Sequence, residues 1–382
     1  MPTVSPLYTI LPKQEFADRS RNKQAMNLPT DSASTTLTRR HFLSAGLLVT
    51  LPVRAISRRA DATDDFVRAQ MDTQHVPAVS VAVVQKGKVL LARGYGVANR
   101  AQNVAATAAT PYKIASVSKQ FFATAILVLA QDGKLSLNDP VFRYLEGTPE
   151  TWKAITLRHL LSHTAGLVRE APAFAPFKPQ PDADVVRSAY PVPLVFAPGE
   201  KWQYSNVGYF AIAEVIRVVS GKPWAEFIKN RVFIPAKMTE TRTTAEATPN
   251  RAIGYSYADN DWQIAPDYTA LRPSGAFVST VEDLARWDAA LYTDAVLNAQ
   301  SRRALWTPTS LNNGTTTPYG LGWQLQTVRG LRRAEHGGSL PGFRSHVLRG
   351  LGDGLSVMVL TNTGQSDPAV IASGVARLHT PL

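Results

Sequence analysis

The chain has 382 residues, 45% of them hydrophobic and 18% charged, which is enough apolar material for one or two cored domains and argues against bulk disorder. With no cysteine, thiol catalysis, disulfide staples and an acylated cysteine anchor are excluded. The net charge of +12 divides evenly, +6 on residues 1–60 and +6 spread over the rest with no basic-aromatic stripe or zinc-finger spacing, so no nucleic-acid partner is expected.

In chain order, residues 1–60 read as a leader. Thr38-Arg39-Arg40-His41-Phe42-Leu43 is a twin-arginine arrangement. The apolar run behind it, residues 42–53, has the length of a signal h-region and is too short to span a bilayer. Val53-Arg54-Ala55 and Ala60-Asp61-Ala62 offer small-residue cleavage sites, and Met26 is an alternative start. The expectation is export in the folded state to the periplasm or beyond, with no stable transmembrane segment once the leader is removed.

One domain is expected over 61–382. A short helix around 64–75 precedes two β-runs, 78–84 and 88–95, joined at Lys86-Gly87 as a hairpin. Ser116 opens an apolar helix that runs to Gln131 and stops at Asp132-Gly133. Residues 157–163 form a second helix. The stretch 169–200 carries Pro172, Pro176, Pro179, Pro181, Pro191, Pro193 and Pro198, which predicts a long functional loop without regular helix. Helical periodicity returns over 209–220, 224–232 and 280–292. Then the period changes: 322–328, 331–336, 342–348 and 355–360 read as strands, and 368–378 as a last helix. Strands at both ends predict an α+β fold: an antiparallel sheet flanked by helices and built from both terminal segments, with a mainly helical insertion over about 120–290.

Three motifs carry chemistry. Ser116-Val117-Ser118-Lys119 puts a hydroxyl and an amine one turn apart at a helix start, where a base within reach turns a serine into a nucleophile. The spacing alone is weak, since Ser20-Arg21-Asn22-Lys23 shares it. Its company is Tyr204-Ser205-Asn206 and His336-Gly337-Gly338. His159 and His163 stand four apart on a helix, but no Glu follows His159, so capping and packing roles are expected rather than zinc ligation. Phe174, Phe177 and Trp262 are candidates to line a substrate cleft. Gly350-Leu351-Gly352-Asp353-Gly354 lacks a following helix and Lys and reads as a turn.

Together these segments resemble the serine β-lactamase and penicillin-binding protein superfamily, nearest to class C β-lactamases, DD-carboxypeptidases and related esterases. Leu160-Leu161-Ser162-His163-Thr164-Ala165-Gly166-Leu167, Tyr319-Gly320-Leu321-Gly322-Trp323 and Gly337-Gly338-Ser339-Leu340-Pro341-Gly342-Phe343 are similar to stretches recurrent in that group, as is Phe196-Ala197-Pro198-Gly199-Glu200-Lys201-Trp202 ahead of Tyr204. The resemblance implies an acyl-enzyme on Ser116, with Lys119 and Tyr204 sharing the base role. It further implies Asn206, His336, Gly337 and Gly338 as substrate-binding residues, and the N–H groups of Ser116 and Ser339 as an oxyanion hole. A D-amino-acid peptide, a β-lactam or an ester is the implied substrate, with no metal and no organic cofactor. Where most β-lactamases of the group have Lys-Thr-Gly, this chain has His-Gly-Gly, which counts against efficient β-lactam hydrolysis because a histidine is mostly neutral at pH 7. The rival expectation is a non-catalytic cell-wall or ligand-binding domain on the same scaffold, whose mark would be a lost Ser, Lys or Tyr.

Overall fold

The computed structural model describes residues 53–380 apart from 269. The twin-arginine arrangement and the apolar run behind it, up to residue 52, lie outside the described residues. A helix, α1, spans Val53–Gln74 and so begins earlier than the expected 64. Strands β1 (Ala78–Gln85) and β2 (Lys88–Asn99) follow, joined by Lys86 and Gly87. Both turn residues have positive φ, the two-residue geometry that matches the twist of a hairpin.

Seven strands form one antiparallel sheet in the order β3-β2-β1-β12-β11-β10-β9. Here β3 is Val104–Ala105, β9 is Gln324–Val328, β10 is Leu331–Leu340, β11 is Phe343–Gly350 and β12 is Leu355–Thr361. The terminal halves of the chain meet where β1 pairs β12, Val81 opposite Val359. β1 is buried on both faces, and alternate side chains partition between two cores. Val79, Val81 and Val83 pack with Val357 and Val359 beneath α1 and the C-terminal helix α9 (Pro368–His379). Ala78, Ala82 and Val84 face the larger core on the other side.

That larger core belongs to the helical insertion. Its centre is α2 (Lys119–Gln131), in which every residue from Lys119 to Leu129 is buried. A helix apolar all round must be enclosed all round; α3 (Leu157–Ser162), α5 (Val207–Ser220), α6 (Trp224–Ile228) and α7 (Val281–Ala290) contribute to the same cluster. Within the proline-rich stretch the expectation of no helix is overturned. α4 (Asp182–Ser188) fits between Pro181, which stands just ahead of its first turn, and Pro191. Proline is tolerated at a helix start, and Asp182 and Asp184 in the first turn oppose Arg187 in the last along the dipole. Several short elements escaped the sequence: β4 (Tyr112–Lys113), β5 (Arg242–Thr243) and β8 (Phe277–Ser279) in a small sheet, the hairpin β6 (Tyr255–Ala258) with β7 (Asp261–Ile264), and α8 (Ala299–Leu305).

β10 is the strand that positions the site. It pairs β11 over 333–340 but β9 only over 331–335, so residues 336–340 have one edge without a strand partner. Its inner face presses on the turn that carries Ser116. A β-carbon at Gly338 would overlap the Ile114 carbonyl oxygen and the Ser345 hydroxyl, which donates to that same carbonyl at 2.7 Å. Gly338→Ala is therefore expected to cost about 1–3 kcal/mol, the scale of overpacking a tight contact, read as a lowered Tm. Gly352→Ala, facing open space, should leave Tm within about a degree or two of wild type.

Candidate active site

Ser116 does not open an α-helix as expected. It lies in a 3-10 turn, Ala115–Ser118, and α2 begins only at Lys119. The tighter turn follows from Ala115, a non-glycine residue at φ +48°. Such a conformation costs about 1–3 kcal/mol and persists only when its surroundings enforce it. They do so here: Ile114 N–H donates to Phe277 O at 3.0 Å, Phe277 N–H donates to Ser118 Oγ at 3.2 Å, and Gly338 closes over Ala115. Ser118 is thus a structural hydroxyl.

The turn leaves Lys119 fully buried with Nζ 3.1 Å from Ser116 Oγ. Nζ also donates to Asn206 Oδ1 at 3.0 Å and to Ser274 O at 2.7 Å. Both are fixed acceptors. Asn206 cannot reverse its amide, because its Nδ2 donates to Glu170 Oε1 at 2.5 Å and a carboxylate only accepts. Glu170 is held in turn by Arg272, which contacts its two oxygens at 2.7 and 2.6 Å, and Arg272 Nε donates to Ser274 Oγ at 2.8 Å. Lys119, Asn206, Glu170, Arg272 and Ser274 therefore close a ring of hydrogen bonds. Burial pushes the Lys119 ammonium well below the ordinary lysine range; the Arg272 charge adds to that and Glu170 opposes it. With the ammonium disfavoured, Asn206 Oδ1 and Ser274 O hold Nζ from two sides and the Ser116 hydroxyl is its third neighbour.

Tyr204 completes the cluster. Its ring lies 4.8 Å from Lys119 Nζ and 4.2 Å from the His163 ring. Burial raises its pKa, so the phenol keeps its proton. His163, the left-handed C-cap of α3 (φ +63°), brackets this segment. Its carbonyl accepts from Gln203 N–H at 2.9 Å, its Nδ1 accepts from Ser205 N–H at 3.2 Å, and its ring lies 4.2 Å from that of Tyr204. Asn206 stands ahead of α5 without capping it, since its side chain is committed to Lys119 and Glu170.

His336 differs from the expected docking side chain. It is 2% exposed. Nδ1 lies 2.7 Å from Gly337 O and Nε2 lies 2.8 Å from Tyr319 Oη. A carbonyl only accepts, so Nδ1 carries the hydrogen and Tyr319 donates to Nε2. Burial, helped by Lys119, lowers the pKa to about 3, leaving the ring neutral. What residues 336–340 present is therefore backbone, the glycine surface and the exposed Ser339, with no imidazolium.

The structure thus brings Ser116, Lys119, Tyr204 and Asn206 into one cluster and lays the strand with His336, Gly337, Gly338 and Ser339 along the Ser116 turn. Sequence reasoning missed Glu170, Arg272 and Ser274: Glu170 opens the proline-rich stretch three residues past the family stretch at 160–167, while Arg272 and Ser274 carry no local signal. His159 closes a capping box with Thr156, and no metal-holding cluster occurs among the described residues. Phe174 lies beneath Arg272, 4.5 Å from the guanidinium, next to the ring of hydrogen bonds. Phe177 packs on Tyr268. Trp262 does not join the cluster: its Nε1 donates to His75 O, and it lines a separate cavity of about 350 Å³ with Met71, Val97 and Arg100.

The family model described as Beta-lactamase matches residues 63–380. Penicillin-binding protein 4* of Bacillus subtilis (strain 168) is 32% identical over 306 residues, 74% of this chain and 67% of that protein. Protein flp of Staphylococcus aureus (strain N315) is 29% identical over 318 residues, 78% of this chain. The matches span 67%, 60% and 62% of the first three curated relatives. Among solved structures, the octameric penicillin-binding protein homologue from Pyrococcus abyssi superposes with a TM-score of 0.74 at 25% identity, covering 84% of this chain and 77% of that one. The D-amino acid amidase from Ochrobactrum anthropi SV3 complexed with D-phenylalanine shares the fold, with a TM-score of 0.70 at 24% identity over 84% and 96% of the two chains. The chain belongs to the β-lactamase family of serine hydrolases.

Proposed function

We propose that the protein cleaves an ester or a small D-amino-acid peptide through an acyl-enzyme on Ser116. The observation that carries this reading is the fully buried Lys119 side chain, whose Nζ is held by Asn206 Oδ1 and Ser274 O and lies 3.1 Å from Ser116 Oγ. In the proposed reaction Ser116 Oγ attacks the substrate carbonyl carbon as its proton passes to Lys119 Nζ. The carbonyl oxygen takes the negative charge between the N–H groups of Ser116 and Ser339. When the carbon–leaving-group bond breaks, the Tyr204 phenol gives its proton to the leaving atom and recovers one from the Lys119 ammonium. Water then repeats the sequence on the acyl-enzyme, returning Ser116 and releasing a carboxylic acid.

Two features favour esters and peptides over β-lactams. The substrate strand holds a neutral His336 where a lysine would offer a permanent cation, and Gly337 offers no hydroxyl beside it. The complete Ser, Lys and Tyr set weighs against a non-catalytic binding domain. The reading includes export through the twin-arginine leader and action outside the cytoplasm, with no metal or organic cofactor taking part.

Three outcomes are expected. Ser116→Ala abolishes turnover and removes the mass increment left by a fluorophosphonate or penicillin probe; a surviving adduct moves the nucleophile elsewhere. In a panel of nitrocefin, p-nitrophenyl butyrate and an acyl-D-Ala-D-Ala peptide, nitrocefin is the poorest by kcat/KM, and a preference for it would overturn the substrate class. The pH profile gives a third test, because a base must be uncharged and kcat/KM rises with pH through the Lys119 pKa. Glu170 holds that pKa up, so Glu170→Gln, which keeps an acceptor for Asn206, moves the acid limb to lower pH. An unmoved or upward-shifted limb contradicts the assignment of Lys119.

A further inference from the structure

At the end of the sheet away from Ser116, a cavity of about 490 Å³ gathers cations that the proposed reaction does not use. β10 carries Arg332 at this end and Ser339 near the other, roughly 23 Å apart along an extended strand. Arg332, Lys86 from the β1–β2 turn and Arg303 from the last turn of α8 line the cavity. All three are exposed, and none pairs with a carboxylate among the described residues. Arg349 is a fourth cation, but it is buried against Asp288, which balances its charge. Its guanidinium lies 4.2 and 5.1 Å from the ring centres of Tyr292 and Trp306.

The backbone holds these segments together. Lys86 N–H and the Tyr292 hydroxyl both donate to Gly354 O, at 2.8 and 3.3 Å, and Leu351 N–H donates to Arg332 O at 2.9 Å. A β-carbon at Gly354 would stand 2.8 Å from Lys86 Cγ, so the glycine lets the lysine stem cross the turn. The glycine-rich turn 350–354 thereby ties two of the three cation-bearing segments to each other. Its own acid, Asp353, accepts from Leu355 N–H and is not among the residues lining the cavity. Arg303 O accepts from Trp306 N–H at 3.2 Å and from the Thr307 hydroxyl at 2.8 Å, which fixes the third.

Three uncompensated charges from three separate elements therefore face one space. A single carboxylate would leave most of that charge unmet, whereas two linked phosphate groups offer enough oxygens for all three, and a guanidinium fork matches them. The volume falls in the range of about 300–1,000 Å³ usual for small-molecule sites, and Tyr292 and Trp306 supply apolar wall for an organic body. We propose that this cavity binds a small organic diphosphate, at a site separate from the Ser116 cluster and independent of the acyl-transfer reading.

The test is equilibrium dialysis of the full chain with radiolabelled pyrophosphate at fixed ionic strength. Pyrophosphate binds, and binds about tenfold or more tighter than orthophosphate or citrate, the scale of one further charge-assisted hydrogen bond. Lys86→Met, Arg303→Met and Arg332→Met each raise the Kd about threefold to tenfold, between the worth of a surface ion pair and that of a charge-assisted hydrogen bond. All three keep the wild-type Tm without ligand, since the side chains are exposed. Lys134→Met, which removes an exposed lysine outside the cavity, leaves the Kd unchanged. ADP and farnesyl diphosphate then compete with the label, and the tighter of the two tells a nucleoside body from a prenyl one. Absence of pyrophosphate binding overturns the site. So does binding that the three substitutions leave unchanged, which would belong to the basic residues of 1–60 or to diffuse charge. Citrate binding as tightly as pyrophosphate overturns the phosphate assignment, and a label that neither organic diphosphate displaces overturns the organic half.

Discussion

The site depends on one constraint, a primary amine enclosed where it cannot keep an ordinary proton affinity. Lys119 has no exposed surface, and its Nζ meets Asn206 Oδ1, Ser274 O and Ser116 Oγ within 3.1 Å. Two of those contacts can only accept, so they fix where the Lys119 nitrogen sits beside the Ser116 hydroxyl. Each supporting feature serves that geometry. Glu170 fixes which end of Asn206 faces the lysine; Arg272 fixes Glu170 and, through the Ser274 hydroxyl, the backbone that supplies the other acceptor. Burial of α2 removes the water that would otherwise favour the charged form, which lowers the proton affinity of Lys119.

Sheet and helical insertion each supply half of the arrangement. The insertion provides the amine, the phenol and their hydrogen-bonded frame. The sheet provides β10, whose glycine at 338 lets a strand lie against the strained turn at Ala115 and hold Ser116 outside the α-helix. The same strand is stripped of charge, since His336 is turned inward to Tyr319 and its ring is neutral. In the proposed reaction a substrate laid along residues 336–340 meets backbone and glycine.

Much of this was legible in the sequence, and the failures have physical causes. Long periodic segments were readable because one period fixes one face: β1, β2, β12, α5 and α9 appear within a few residues of where alternation or helical spacing puts them. Ser116, Lys119, Tyr204 and Asn206 were found as motifs, and they converge. Strands of two to four residues, such as β4, β5 and β8, are too short to show a period. α4 was hidden because proline forbids helix interiors but not helix starts. The environment of His336 was beyond spacing altogether, since its inward turn depends on Tyr319 seventeen residues away. Glu170 and Arg272 were missed for a similar reason. An ion pair 102 residues apart leaves no local trace, yet it decides which way an asparagine faces.

The central claim is the protonation state of one amine, which can be measured without any substrate. Lysine labelled at Cε and Nζ, followed by NMR from pH 5 to 11 and assigned by the signal lost in Lys119→Met, reports it directly. The account predicts that the Lys119 resonance titrates well below the bulk lysines and is uncharged at pH 7 to 8. A Lys119 resonance titrating with the others near about 10.4 would mean an ammonium beside Ser116, and such a group is no base.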